Sequence, residues 1–351
     1  MGKIIAIDTS PIDKNSTSQH KVRGVGKYIS LLKDNLERFD SSNKYIFTNN
    51  PKQLIENVDI IHYPYFDPFF VTLPLLKKVK TFVTVHDIIP LVHKKHFPVG
   101  VKGEFKWKLN RLLLKQVDGI ITDSNASKED ISVVTGINKT KIHVVYLSVE
   151  DNFIRKDLSD GEKEHLEKKY GIPDRFFLYV GDVTWNKNLP RLIAAVKKSN
   201  VSLVMVGKAL ADSYDTTNSW NNDRNKVMRE IADDPRFLRL GFVPTEDLVD
   251  IYNIATALCM PSIDEGFGLP VLEAMRSGCP VISARTGSLP EIGGEAVFYI
   301  DAENIDSIVH GITEIENNKV LREELVVKAS AQSVKFTTEK MIRETIATYN
   351  S

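Results

Sequence analysis

Two glutamates bracket a glycine-containing turn in the run Met260-Pro-Ser-Ile-Asp-Glu265-Gly-Phe-Gly-Leu-Pro270-Val-Leu-Glu273-Ala-Met-Arg-Ser-Gly278-Cys-Pro. Pro270 suits the first turn of a helix, where its missing N–H costs nothing, and Gly278 suits the residue just past a helix end. The segment therefore reads as a loop feeding a two-turn helix that starts near Pro270, with Glu265 in the loop and Glu273 in the first turn. Gly266 and Gly268 let backbone amides approach a ligand closely, and the helix start adds its positive dipole end. Carboxylates cannot bind phosphate, so acids beside an anion-binding turn are suited to hydroxyl groups, such as those of a sugar or a ribose. A solvated loop glutamate and a glutamate favoured by the helix dipole explain the spacing as well, and spacing alone leaves both readings open.

A second cluster is Val180-Gly181-Asp182-Val-Thr-Trp185-Asn186-Lys187-Asn188-Leu-Pro190. Gly181 permits a tight turn out of a strand, and Asn188 fits a helix N-cap with Pro190 in the first turn. Lys187 then stands at a helix N-terminus, a poor place for a surface lysine but a good one for a cation that shares a diphosphate with free amides. In the first half of the chain Gly24-Val-Gly26 precedes a helical pattern, and His86-Asp87 closes a strand-like run. A nicotinamide-binding fingerprint would follow its strand directly and carry a third glycine, whereas here the polar stretch Thr9–Val22 intervenes. A histidine at a strand end is, taken alone, more often structural than catalytic.

Short β-branched runs alternating with amphipathic stretches must position these clusters. Strands are expected at Lys3–Asp8, Lys44–Phe47, Asp59–Tyr63, Thr81–His86, Gly119–Asp123 and Lys141–Val145, and again at Phe176–Val180, Val201–Val206, Phe237–Leu240, Ala257–Met260 and Pro280–Ser283. Helical patterns fall between them, among them Val25–Leu36, Gly103–Gln116, Lys128–Thr135 (with Ser127 as its cap), Leu189–Lys198, Thr245–Asn253 and Ile305–Glu316. Such alternation means parallel sheets covered by helices, and a single core rarely exceeds about 250–300 residues. The 351 residues are expected to form an α/β protein of two doubly wound, Rossmann-like domains facing across a cleft. We place these at 1–160 and 161–335, with a hinge in Glu150–Pro173 and a last helix, 336–351, that either completes the second domain or crosses back to the first. Each polar cluster follows a strand, where open α/β sheets bind ligands.

The surroundings Pro-Ser…Glu265-Gly-Phe-Gly-Leu-Pro-Val-Leu-Glu273-Ala-Met…Gly-x-Pro-Val-Ile resemble the Glu-x7-Glu motif of retaining glycosyltransferases of the GT-B architecture, and especially glycosyltransferase family four. The resemblance covers nearly the whole chain and is densest over Phe176–Asp301. It implies that Glu265 contacts the transferred sugar, Glu273 the nucleotide ribose and Lys187 the phosphates, and that Gly24 and Gly26 bring amides to the donor. Gly181, Asn186, Gly266, Phe267, Gly268 and Leu269 complete the implied donor-binding set. Glu265, Lys187 and His86 would stand at the reacting centre, with His62, Tyr63 and Asp87 on the acceptor side. Asp182 departs from the family pattern, which has an arginine there, and Asn186 replaces a second one; Lys208 or Arg23 is expected to compensate. Ser124-Asn-Ala-Ser127-Lys resembles a further family segment. The Trp-Asn-Lys-Asn form of the loop looks most like bacterial polysaccharide mannosyltransferases, which implies GDP-mannose as donor, a saccharide or lipid-linked saccharide as acceptor, and a reaction without cofactor or metal. An inactive nucleotide- or carbohydrate-binding module and a sugar-nucleotide epimerase of similar shape are the competing readings.

Lys plus Arg equals Asp plus Glu at 46 each, which argues against a general nucleic-acid binder. One basic stretch stands out: Lys102, Lys106, Lys108, Arg111 and Lys115 punctuate Phe105, Leu109, Leu112 and Leu113. It reads either as an ordinary surface helix with a core face or as a docking element for an anionic membrane or a lipid-diphosphate acceptor. Cys259 and Cys279 read as small buried hydrophobes. No apolar run of about 20 residues suggests a membrane span. The expected location is the cytoplasm, with peripheral contact at the inner face of the membrane.

Overall fold

The computed structural model describes residues 2–13, 24–211, 220 and 222–351. Two compact units result, one of Met1–Ser148 with Phe336–Ser351, the other of Val149–Lys335.

Six strands form the sheet of the first unit: β1 (Ile4–Asp8), β2 (Lys44–Thr48), β3 (Ile60–Tyr63), β4 (Lys80–Thr84), β5 (Gly119–Thr122) and β6 (Ile142–Val144). They pair in parallel in the order β2-β1-β3-β4-β5-β6. Ile5, Ile7, Phe82, Val83 and Ile120 are fully buried, as a parallel sheet covered on both faces requires. The connecting helices are α1 (Gly24–Phe39), α2 (Ile89–Val92), α3 (Gly100–Gln116) and α4 (Asn125–Thr135). Three expectations change here. Gly24 and Gly26 lie inside the first turn of α1, not in a turn ahead of it, and Arg23 lies outside the described residues. Helix α4 is capped by Ser124, whose side chain accepts from the Ser127 amide, because the helix begins at Asn125, one turn earlier than expected. The core face of α3 is Trp107, Asn110, Leu113 and Leu114, whereas Phe105 and Leu112 are exposed.

The second unit has β7 (Phe177–Val180), β8 (Leu203–Val206), β9 (Phe237–Gly241), β10 (Ala257–Met260), β11 (Val281–Ala284) and β12 (Phe298–Ile300), all parallel, in the order β12-β11-β10-β7-β8-β9. Its helices are α5 (Asp160–Tyr170), α6 (Leu189–Ser199), α7 (Asn222–Ile231), α8 (Thr245–Ile254), α9 (Leu269–Arg276), α10 (Leu289–Gly293), α11 (Ile305–Asn317) and α12 (Lys319–Ser333). The sheet grows one way from β7 and the other way from β10, so the β7/β10 boundary is its topological switch point. Strand β12, three residues long, was not expected from the sequence.

The segment read as a hinge is built into this unit. Ser159 and Glu162 form a capping box that starts α5. Lys169 and Tyr170 hold Asp247 of α8, and Lys156 holds Asp250. A last helix, α13 (Thr338–Tyr349), belongs to the first unit and packs on α1. Both cysteines are buried and unoxidised, and burial pushes the Cys279 thiol up to about 12. Among the described residues, no helix is long and apolar enough to cross a membrane.

Candidate active site

The loops that leave β7 and β10 at the switch point are fastened to one another. The Ile263 amide donates to the Asn186 carbonyl at 2.7 Å, and Asn186 Nδ2 donates to the Asp264 carbonyl at 3.0 Å. Asn186 Oδ1 accepts from Thr184. The Asn186 side chain, in a residue 6% exposed, joins the two loops in this structure. Asn188 occupies the N-cap position of α6, as expected, but its side chain makes no capping hydrogen bond. It takes a left-handed conformation (φ 57°), and its amide donates to the carbonyls of Pro261 and Ala302.

Lys187 Nζ reaches both carboxylate oxygens of Glu265, at 2.6 and 2.7 Å. Ser262 Oγ donates to the same carboxylate at 2.7 Å. Glu265 is 6% exposed. A carboxylate so withdrawn from water needs compensation, and here a lysine and a hydroxyl supply it. The Glu265 carbonyl accepts from the amide and the hydroxyl of Ser288. Gly287 (φ +51°) makes this approach possible: a Cβ there would lie 2.6 Å from Asp264 Oδ1 and 2.8 Å from the Glu265 backbone.

Gly268 takes a left-handed conformation (φ 94°) and delivers the chain into α9, with Leu269 and Pro270 first in the helix. Phe267 is buried. Glu273 falls just beyond the first turn, one residue further in than expected, because the helix already begins at Leu269. Its Oε2 accepts from the Tyr252 hydroxyl at 3.0 Å, and burial, then the Glu273 charge, push that hydroxyl well above its usual range. Lys208 lies in a short 3₁₀ turn just past β8, exposed. Gly207 ahead of it passes so close to the Gly181 carbonyl that a Cβ would sit 2.0 Å away. The Asp182 carbonyl accepts from the Tyr179 hydroxyl.

In the first unit His86 Nδ1 lies 2.8 Å from Asp123 Oδ2, and Tyr28 meets its ring edge-on at 5.1 Å. Burial works against the imidazolium, but the Asp123 charge and hydrogen bond, then Asp87 and the Pro64 carbonyl, outweigh it and raise the His86 pKa. The direct partner of His86 is therefore Asp123, at the end of β5, rather than its neighbour Asp87, which turns back to accept from the Ile89 amide.

His62 and Tyr63 lie in the core of the first unit. His62 is 0% exposed, with Nδ1 2.8 Å from the Tyr349 hydroxyl and Nε2 2.8 Å from Thr84 Oγ1. Tyr63 is 3% exposed and part of the core. Strand β3 is buried on both faces, so both its side-chain directions point into protein. Sequence reasoning missed Asp123, Tyr252, Ser262 and Gly287. Tyr252 and Asp123 follow core-like patterns, and the role of Gly287 depends on a loop from another strand.

The description "Glycosyl transferases group 1" matches residues 162–332, and "Glycosyltransferase Family 4" matches residues 18–153. The two matches lie side by side, so over most of its length the chain is similar to glycosyltransferases. The Escherichia coli serotype-specific mannosyltransferase WbdA is 27% identical over 274 residues, 73% of this chain and 32% of WbdA. The O-antigen chain mannosyltransferase B of Escherichia coli is 28% identical over 296 residues, 83% of this chain and 75% of that protein. The chain thus spans about a third of the length of WbdA. The structure of Anabaena HepE in complex with UDP and glucose superposes with a TM-score of 0.73 at 15% identity, covering all of both chains. The fold is GT-B, two Rossmann-like domains.

Proposed function

We propose that this glycosyltransferase moves mannose from GDP-mannose to a saccharide or lipid-linked saccharide in cell-surface glycan synthesis, with retention and without a metal ion. The similarity to O-antigen mannosyltransferases supports the sugar and the setting. The observation that carries the donor site is the Lys187–Glu265 pair at the switch point of the second unit. Without a donor, the cation and the carboxylate satisfy each other. A diphosphate offers Lys187 a better partner and releases Glu265 to a hydroxyl of the transferred sugar. Lys187 and the amides at the start of α9 stabilise the charge on the leaving diphosphate. Glu273, fixed by Tyr252, holds the ribose hydroxyls.

Acceptor handling falls to the first unit, where Asp123 and Tyr28 fix His86. The basic face of residues 102–115 provides peripheral contact with an anionic membrane. A thermal-shift screen of nucleotide sugars tests the donor, since a ligand that binds only the folded state raises stability by mass action. GDP-mannose is expected to give the largest shift, and transfer is expected to persist in EDTA with an α-linked product. A larger shift with another donor, loss of activity on chelation, or an inverted product each contradicts its part of the proposal.

A further inference from the structure

Five polar side chains meet inside the apolar interior of the first unit. His62, Thr84, Thr345 and Tyr349 are 0% exposed and Tyr28 is 2% exposed. They come from four elements: Tyr28 from α1, His62 from β3, Thr84 from β4, and Thr345 and Tyr349 from α13. Apolar side chains of the same shape would hold these elements together without the cost of burying polar groups. A fully satisfied polar chain does something else, because it fixes one arrangement of its members.

The partners assign the direction in which the protons of this chain run. Burial, and then the His86 charge, lower the His62 pKa to about 3, so the ring is neutral, with one donor and one acceptor nitrogen. Among the described residues the Tyr349 hydroxyl meets one acceptor, His62 Nδ1, at 2.8 Å. Tyr349 therefore donates, and the ring proton lies on Nε2, 2.8 Å from Thr84 Oγ1. Thr84 accepts it and passes its own proton to the Tyr28 hydroxyl oxygen at 3.1 Å. Tyr28 in turn faces the Thr345 hydroxyl, whose proton goes to the Met341 carbonyl at 2.8 Å. The chain thus starts and ends on α13.

Tyr28 carries this order out of the core. Its ring meets the His86 ring edge-to-face, with centroids 5.1 Å apart and planes at 88°. Asp123 Oδ2 holds the Nδ1 side of the imidazole at 2.8 Å. Asp123 thus fixes one nitrogen, and Tyr28, tethered at its hydroxyl, walls the ring. We infer that His62 and Thr84 are positioning residues, which pass the seating of α13 through the Tyr28 hydroxyl to the ring that sets His86. The inference rests on the acceptor role proposed for His86 and deepens it: the helix that returns from the far end of the chain helps to make the first unit competent for transfer.

Imidazole NMR of the full chain with ring-labelled histidine tests this, the His86 signals being assigned with His86→Gln. Thr84→Val and Tyr349→Phe should each move those signals, whereas Thr84→Ser, which keeps the hydroxyl, should leave them as in wild type. Thr348→Val removes a hydroxyl that bonds only within α13 and should leave them unmoved. In transfer from GDP-mannose to methyl α-mannoside, Thr84→Val and Tyr349→Phe should lower kcat roughly tenfold, with the KM for GDP-mannose unchanged. If either variant fails to fold, Tyr28→Phe cuts the same chain while keeping the ring. Unmoved His86 signals in the folded variants, or signals that Thr348→Val moves as far, overturn the inference. So does an unchanged kcat, or a loss that Thr84→Ser shares. If the signals move as expected but the wild type transfers no mannose, the positioning chain stands and the proposed reaction fails.

Discussion

Lys187 and Glu265 read in the sequence as two separate ligand contacts, one for phosphate and one for sugar. In the folded unit each is the other's partner, within 2.7 Å. The pairing makes their roles separable by mutation. Glu265→Gln keeps the shape, removes the charge and leaves Lys187 free for phosphate. The variant should bind the nucleoside diphosphate at least as well as wild type in calorimetry, while transfer falls by roughly a hundredfold or more. A parallel loss of both would mean that Glu265 only holds Lys187 in place. Lys187→Ala leaves a buried carboxylate without its cation and should cost the second unit about 3 kcal/mol, read as a lower denaturation midpoint. The glutamates themselves were legible because the glycine and proline around them have local meanings. Asn186 was not, because a buried amide that joins two loops looks in sequence like one that faces a ligand.

At the level of elements, eleven of the strands were visible as β-branched runs between turn residues, and only the three-residue β12 escaped. Helix α5 was missed for a different reason. It buries a single residue, Leu166, so it has no apolar period to detect and is held by its capping box and by α8. Strand β3 shows where a pattern misleads: His62 sits at the strand end, where ligand residues gather, yet it lies in the core. Burial, with a smaller contribution from the His86 charge, lowers its pKa from 6.5 to about 3. The unfolded chain therefore binds the extra proton between these values, and stability present above pH 6.5 is lost as pH falls. This one group should take up to ~1.4 kcal/mol per pH unit from the first unit across that window. His62→Gln is expected to be less stable at neutral pH but to show a flatter acid limb in denaturation. An unchanged acid slope would mean that His62 is not buried neutral.

For the whole molecule, the chain leaves the first unit after Ser148 and returns to it at Phe336. Helix α13 buries Met341, Ile342 and Tyr349, worth roughly 5–9 kcal/mol at about 1.5–3 kcal/mol each, a large part of ordinary domain stability. It also supplies the hydroxyl that meets His62. Removal of residues 336–351 should therefore unfold the first unit and leave 149–335 cooperatively folded, visible as a protease-resistant fragment of the second unit alone. Survival of both units would show that α13 is dispensable.

A nucleotide-sugar donor is proposed to bind at the switch point of the second unit. Calorimetric titration of GDP-mannose into wild type, Lys187→Ala and Glu273→Ala, with melting curves showing that each is folded, addresses it directly. GDP-mannose is expected to bind wild type and to lose more than about tenfold in affinity, or 1.4 kcal/mol, in each variant. Wild-type affinity in both folded variants would contradict it.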